Sequence, residues 1–342
     1  MAGRRAGSGL MSPDARRSCD QWWKLITSGC GSGACTIFTH LFSEKTVTAR
    51  RLSQFLALSL AALTWWALIS RPDVIDPEFA VEIHVAFVVV VAVAFGLSFV
   101  ALRFATAGSA TYWSMNRTDQ VRPIVWMELA TVAVMLSASV VLHWLGRADA
   151  GSAMITYLLA GTLMPAAFVQ FGLVTWPSRS SYPGRLRLVL IAAVAIGIAA
   201  AWSYAAWSIA PDNSDLPPVP DLIVTVGAVI VGATFEEIVF RVLLLTALLD
   251  RTGSRFQAVF LSSVAFGLMH VPGALADPVL HGDWPFLQEV AFEYAPEFLM
   301  QTLIGLLLGV LWLRTGSITL IAATHAILNL GNALATGLLA YG

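Results

Sequence analysis

From residue 52 to the C-terminus, long apolar runs alternate with short polar connections. Runs of about twenty apolar residues match a bilayer core roughly 30 Å thick. Inside lipid such runs must be helical, because the backbone has no water to bond. The pattern predicts spans near residues 52–70, 80–102, 124–145, 152–176, 187–210, 221–249, 256–271, 298–313 and 317–340. The fold class is therefore all-α, a polytopic transmembrane helical bundle of eight to nine spans. Three regions follow from the same pattern: a Gly-, Ser- and Arg-rich segment 1–51, expected to be poorly ordered and cytoplasmic; the N-terminal spans 52–210; and a four-span unit 221–340.

Composition agrees with this. The chain is 57% hydrophobic and 12% charged, and a soluble domain carries about twice that charged fraction. No basic stripe suited to nucleic acid is present. Instead the basic residues sort by side. With the N-terminus in the cytoplasm, 17 of the 20 Lys and Arg fall in cytoplasmic segments, Arg71 and Arg147 fall outside, and Arg241 lies within a span. That bias predicts a multi-pass cell-membrane protein with a cytoplasmic N-terminus and an external C-terminus. The external 272–297 connection is acidic, with Asp277, Asp283, Glu289, Glu293 and Glu297 and no basic residue. Cys19, Cys30 and Cys35 form no disulfide framework, and Cys30, Cys35 and His40 match no common zinc spacing. The apolar stretch 34–42 is too short and interrupted for a secretory signal.

Ionisable groups at membrane depth are costly, and each is a candidate functional group. Span six contains Gly-Ala-Thr-Phe-Glu-Glu-Ile-Val-Phe-Arg. Glu237 and Arg241 are i,i+4 on one helical face. Glu236 points about 100° away at 3.6 residues per turn, so Arg241 is expected to pair with Glu237 and leave Glu236 free to act. Span seven places Phe266 and His270 on one face, after which Pro272 is expected to stop or bend the helix. Span nine places His325 and Asn329 on one face. At 1.5 Å per residue the three sets lie about 12 to 21 Å from the cytoplasmic ends of their spans, so two carboxylates, two imidazoles and an amide can converge. Such a set suits hydrolysis, with a carboxylate as general base and imidazole or amide donors for an oxyanion. Equally, Glu236, His270 and His325 could hold zinc with an open position. Glu128 is read as facing the interface near the start of span three, and His84 and His143 as span-end residues.

Glu-Glu-x-x-x-Arg (Glu236, Glu237, Arg241), Phe-x-x-x-His (Phe266, His270) and His-x-x-x-Asn (His325, Asn329) resemble, in order and spacing, the three motifs of the CPBP intramembrane proteases. This family, also called Abi, includes CAAX and bacteriocin-processing proteases and the Rce1-type endopeptidases. The resemblance covers about 221–340. It implies an endopeptidase acting on membrane-associated proteins or peptides, with Glu236 activating water and Glu237 and Arg241 supporting it. It also implies His270 as second catalytic histidine, and His325 and Asn329 as the groups that polarise the scissile carbonyl. No His-Glu-x-x-His motif is present, which favours a metal-free glutamate mechanism over a metalloprotease. Two other classes use the same polar cluster: a transporter or channel relaying protons, and a non-catalytic immunity or scaffold protein.

Overall fold

Because the apolar runs are long enough to satisfy their own backbones as helices, the chain folds as a helical bundle. The computed structural model describes residues 51–60, 62, 66, 81–108, 113–117, 119–146, 150–179, 183–208, 218–280 and 295–336. The helices are α1 (Val81–Ala105), α2 (Val121–Trp144), α3 (Ala150–Gln170), α4 (Arg185–Ser208), α5 (Val219–Glu237), α6 (Thr246–Thr252), α7 (Arg255–Leu280), α8 (Ala295–Thr315) and α9 (Ile318–Thr336). A π-helical stretch, Ile238–Leu245, joins α5 to α6 without a break. Four of the predicted spans are long apolar helices, within Val121–Trp144, Arg185–Ser208, Leu222–Thr252 and Glu297–Thr315, and four more appear as shorter apolar helices. The first span beyond residue 60, the N-terminal cysteines and His40, the Pro-rich 211–217 segment and the acidic 281–294 segment with His281 lie outside the described residues, as does the side chain of His84.

Pro272 does not end its helix. α7 runs on to Leu280, through a segment read from sequence as connection. A proline removes one backbone hydrogen bond and crowds the preceding turn; a helix already committed by its apolar first half absorbs that loss. Span four ends earlier than expected, at Gln170 rather than near residue 176.

The connections meet as alternation requires. Trp113–Ser114 (β1) pairs antiparallel with Ser178–Arg179 (β2). Asp250, at the end of α6, accepts from the Met115 backbone N–H at 2.7 Å and from the Ser114 hydroxyl, while Arg251 pairs with Asp119. Gln120 accepts from the Thr175 N–H. The α1–α2, α3–α4 and α6–α7 connections, three of those that the charge pattern groups on one side, thus share one end of the bundle.

Burial divides the helices. The most apolar windows of Val121–Trp144 and Arg185–Ser208 are each 17% buried, against 44% for Leu222–Thr252 and 50% for Glu297–Thr315. Lipid-facing side chains such as Leu97, Leu163 and Leu190 dress the outside, and Phe104, Trp144 and Phe171 stand exposed at helix ends, where aromatic residues suit the interface. The inner helices are held by tight turns and close approaches. Gly253 and Gly316 adopt φ of 62° and 55° and let α6 turn into α7 and α8 into α9. α9 packs along α4 and α5, and at Gly331 the α4 backbone comes so near that an added Cβ would meet the Ser203 carbonyl. Replacing Gly331 by alanine is expected to destabilise the bundle by about 1–3 kcal/mol through overpacking; a lowered melting midpoint in detergent checks it.

Candidate active site

The site starts with the α5 sequence Phe-Glu-Glu. A helix fixes neighbouring residues about 100° apart, so Glu236 and Glu237 face different partners. Glu237 is fully buried and its Oε1 lies 2.9 Å from Arg241 Nη1. The same oxygen lies 2.9 Å from His325 Nδ1. Neither contact has hydrogen-bond alignment, and Arg241 Nε and Nη2 and Glu237 Oε2 find no hydrogen-bond partner among the described residues. The pairing is thus ionic. Arg241 also rests on an aromatic face, its Cζ 4.3 Å from the Phe266 ring centroid, an attraction that strengthens when the cation is desolvated.

Arg241 sits inside the π-helical stretch. Such stretches widen the turn and recur at functional sites. Every residue from Val239 to Leu245 is buried, so this is a core segment with one charged side chain, and that side chain is neutralised within its own helix.

Glu236 is not left free, as the helical-wheel argument alone suggests. Its Oε1 accepts from the Tyr157 hydroxyl on α3. Its Oε2 lies 3.6 Å from His325 Nε2. His325 therefore stands between the two glutamates, Nδ1 toward Glu237 and Nε2 toward Glu236. Asn329, one turn along α9, brings Nδ2 within 3.1 Å of His325 Nε2. The Asn329 Nδ2 can only donate, so Nε2 accepts from it and Nδ1, toward Glu237, carries the proton.

His270 reaches the cluster through Phe266. The Phe266 ring meets His270 edge-on at 5.0 Å and His325 edge-on at 5.5 Å, while Phe240 packs on it at 5.3 Å. His270 Nδ1 bonds the Phe266 carbonyl at 3.0 Å. A carbonyl only accepts, so Nδ1 carries the proton and Nε2 is the basic nitrogen. Phe266 thus joins three of the sequence-predicted residues, Arg241, His270 and His325, on one ring.

All six predicted residues belong to this cluster: Glu236, Glu237, Arg241, His325 and Asn329 by direct polar contact, and His270 by way of Phe266. Two more were not read from sequence. Tyr157 touches Glu236. Glu128, read as interfacial, has its Oε1 buried without a hydrogen-bond partner and lies within electrostatic reach of Glu236 and Tyr157. A tyrosine in a span carries no periodic signal, and α2 begins three residues earlier than its hydropathy suggests, which places Glu128 deeper.

The zinc alternative fits poorly. Both His325 nitrogens already face side chains, and among the described residues no three His, Cys, Asp or Glu are arranged to hold a metal.

The model of the family described as Rce1-like, type II CAAX prenyl endopeptidase Rce1-like, matches residues 218–331. This part of the chain is similar to that family. The apolar helices make the chain a multi-pass membrane protein. The matched part runs from the start of α5 into α9 and contains all seven motif residues, whereas α1 to α4 lie before it. No curated protein and no solved structure matches the chain.

Proposed function

We propose that the matched part of the chain is a glutamate-type intramembrane endopeptidase acting on membrane-associated proteins or peptides, with Glu236 as general base. The observation that carries this reading is the arrangement of His325 between two carboxylates, with an amide on its Nε2, inside an apolar bundle. Glu236 Oε2 and His325 Nε2 are 3.6 Å apart, too far for a direct bond but bridgeable by one water about 2.8 Å from each. Glu236 takes a proton from that water as its oxygen bonds to the scissile carbonyl carbon. The resulting oxyanion is met by the second N–H of the Asn329 amide, which His325 Nε2 holds in place. As the C–N bond breaks, the proton on Glu236 passes to the departing amine, leaving a carboxylate and an amine. Glu237 and Arg241 fix His325 from behind, and His270, with its basic Nε2, assists proton movement.

The commitment of both His325 nitrogens favours this metal-free route. Stripping divalent metal with a chelator is expected to leave the cleavage rate unchanged; a loss restored by added zinc would count against it. The charge pattern further supports a cytoplasmic N-terminus, with 1–51 as an extension, 52–210 as accessory spans and 221–340 as the catalytic unit. The deciding experiment compares new peptide termini, by mass spectrometry, in membranes containing the wild type or Glu236→Gln. Termini present only with the wild type are expected; identical sets would reject the endopeptidase reading.

A further inference from the structure

The geometry points to Tyr157, on a helix outside the matched part of the chain, as a positioning residue for Glu236, so that the N-terminal spans complete the catalytic base. This rests on the endopeptidase reading above.

A free carboxylate rotates about its last bond and presents either oxygen. A general base works best with one lone pair fixed toward its proton. Here the two oxygens of Glu236 are distinguished. Oε1 is taken by the Tyr157 hydroxyl, which leaves Oε2 on the His325 side. With Oε1 held, Oε2 is the oxygen presented toward His325.

The hydroxyl is itself placed by packing. The Tyr157 ring lies 5.2 Å from that of Phe235, the residue before Glu236. One turn along α3 is Gly161, where an added Cβ would run into the Phe235 ring. Phe235 therefore seats in a socket formed by Tyr157 and Gly161, which sets the height of α3 against α5. A residue larger than glycine at 161 would lift the ring and carry the hydroxyl away from Glu236. Glu128, on α2, has a buried carboxylate oxygen and lies within electrostatic reach of Glu236. Two helices that precede the matched part thus contribute polar groups at membrane depth, where such groups are rare without a role.

A purely structural role is the competing explanation: the hydrogen bond could simply join α3 to α5. Tyr157→Phe separates the two, because it keeps the ring against Phe235 and removes only the oxygen. The substrate is an internally quenched peptide copied from a site that the wild type cleaves in membranes and Glu236→Gln spares. Rates are taken per folded protein, judged by the melting profile in detergent. A positioning role predicts a kcat lowered about 10- to 100-fold with KM within about two-fold of wild type, and a second comparison that is non-additive. In a Glu236→Asp background the carboxylate is one methylene short of the hydroxyl, so adding Tyr157→Phe is expected to lower kcat less than two-fold further. Unchanged kcat in Tyr157→Phe, with or without a lower melting midpoint, overturns the positioning role, and so do losses that multiply in the double variant. If no site distinguishes wild type from Glu236→Gln, the endopeptidase reading fails and this inference with it; if such sites exist and Tyr157→Phe keeps full kcat, the inference alone fails.

Discussion

Glu236→Gln is expected to lower the cleavage rate about 10³-fold while leaving the protein folded, an effect within the range of about 10²- to 10⁴-fold for a general base. The substitution is nearly isosteric. The glutamine carbonyl can still accept from Tyr157, and its amide can occupy the position of Oε2 near His325. Packing of α5 against α3 and α9 is therefore kept. Only the ability to take a proton from water is lost. The prediction is specific to one of two adjacent carboxylates, since Glu237 already shares its Oε1 between Arg241 and His325. The measurement is the single-turnover rate of the purified variant beside its melting midpoint. A variant that melts like the wild type and cleaves at the same rate would remove Glu236 from the chemistry.

Much of this site was legible because the membrane makes polar residues conspicuous. Glu236, Glu237, Arg241, His325 and Asn329 stand out in apolar runs, and helical spacing alone pairs Glu237 with Arg241 and His325 with Asn329. The spans were readable for the same reason, since length and hydropathy are set by the bilayer. What periodicity could not give is contact between helices distant in sequence. Tyr157 is 79 positions from Glu236, and nothing in its neighbours marks it. Phe266 was visible as a motif residue, but its use as a shared surface for a guanidinium and two imidazoles depends on α5, α7 and α9 meeting. The π-helical stretch was equally hidden, because a buried apolar run such as Ile-Val-Phe-Arg-Val-Leu-Leu-Leu carries no sign of how its turns are wound. At Pro272 the helix runs on, so of the two expected effects the stop was overridden by the helix it sits in.

Arg241→Leu is expected to destabilise the bundle by about 3–5 kcal/mol, the cost of leaving a buried carboxylate without its cation. Glu237 and Arg241 are both fully buried, so no solvent can take over from the guanidinium. Lysine should rescue only in part, because its ammonium can meet Glu237 but cannot lie flat on the Phe266 ring as the guanidinium does. The informative comparison is the double variant Arg241→Leu with Glu237→Leu. Removing both charges leaves apolar groups in an apolar core and is expected to recover most of the lost stability, since a buried pair is often no better than the hydrophobic pair that replaces it. Activity should not recover with it. His325 Nδ1 then faces no carboxylate, its tautomer and orientation are no longer fixed, and an orienting carboxylate behind an imidazole can be worth up to about 10⁴-fold in kcat. Melting midpoints and cleavage rates of the two single variants and the double variant check this together. Stability that returns without turnover would show that the ion pair is kept for the histidine it aims, whereas turnover that returns with stability would reduce Glu237 and Arg241 to a packing device.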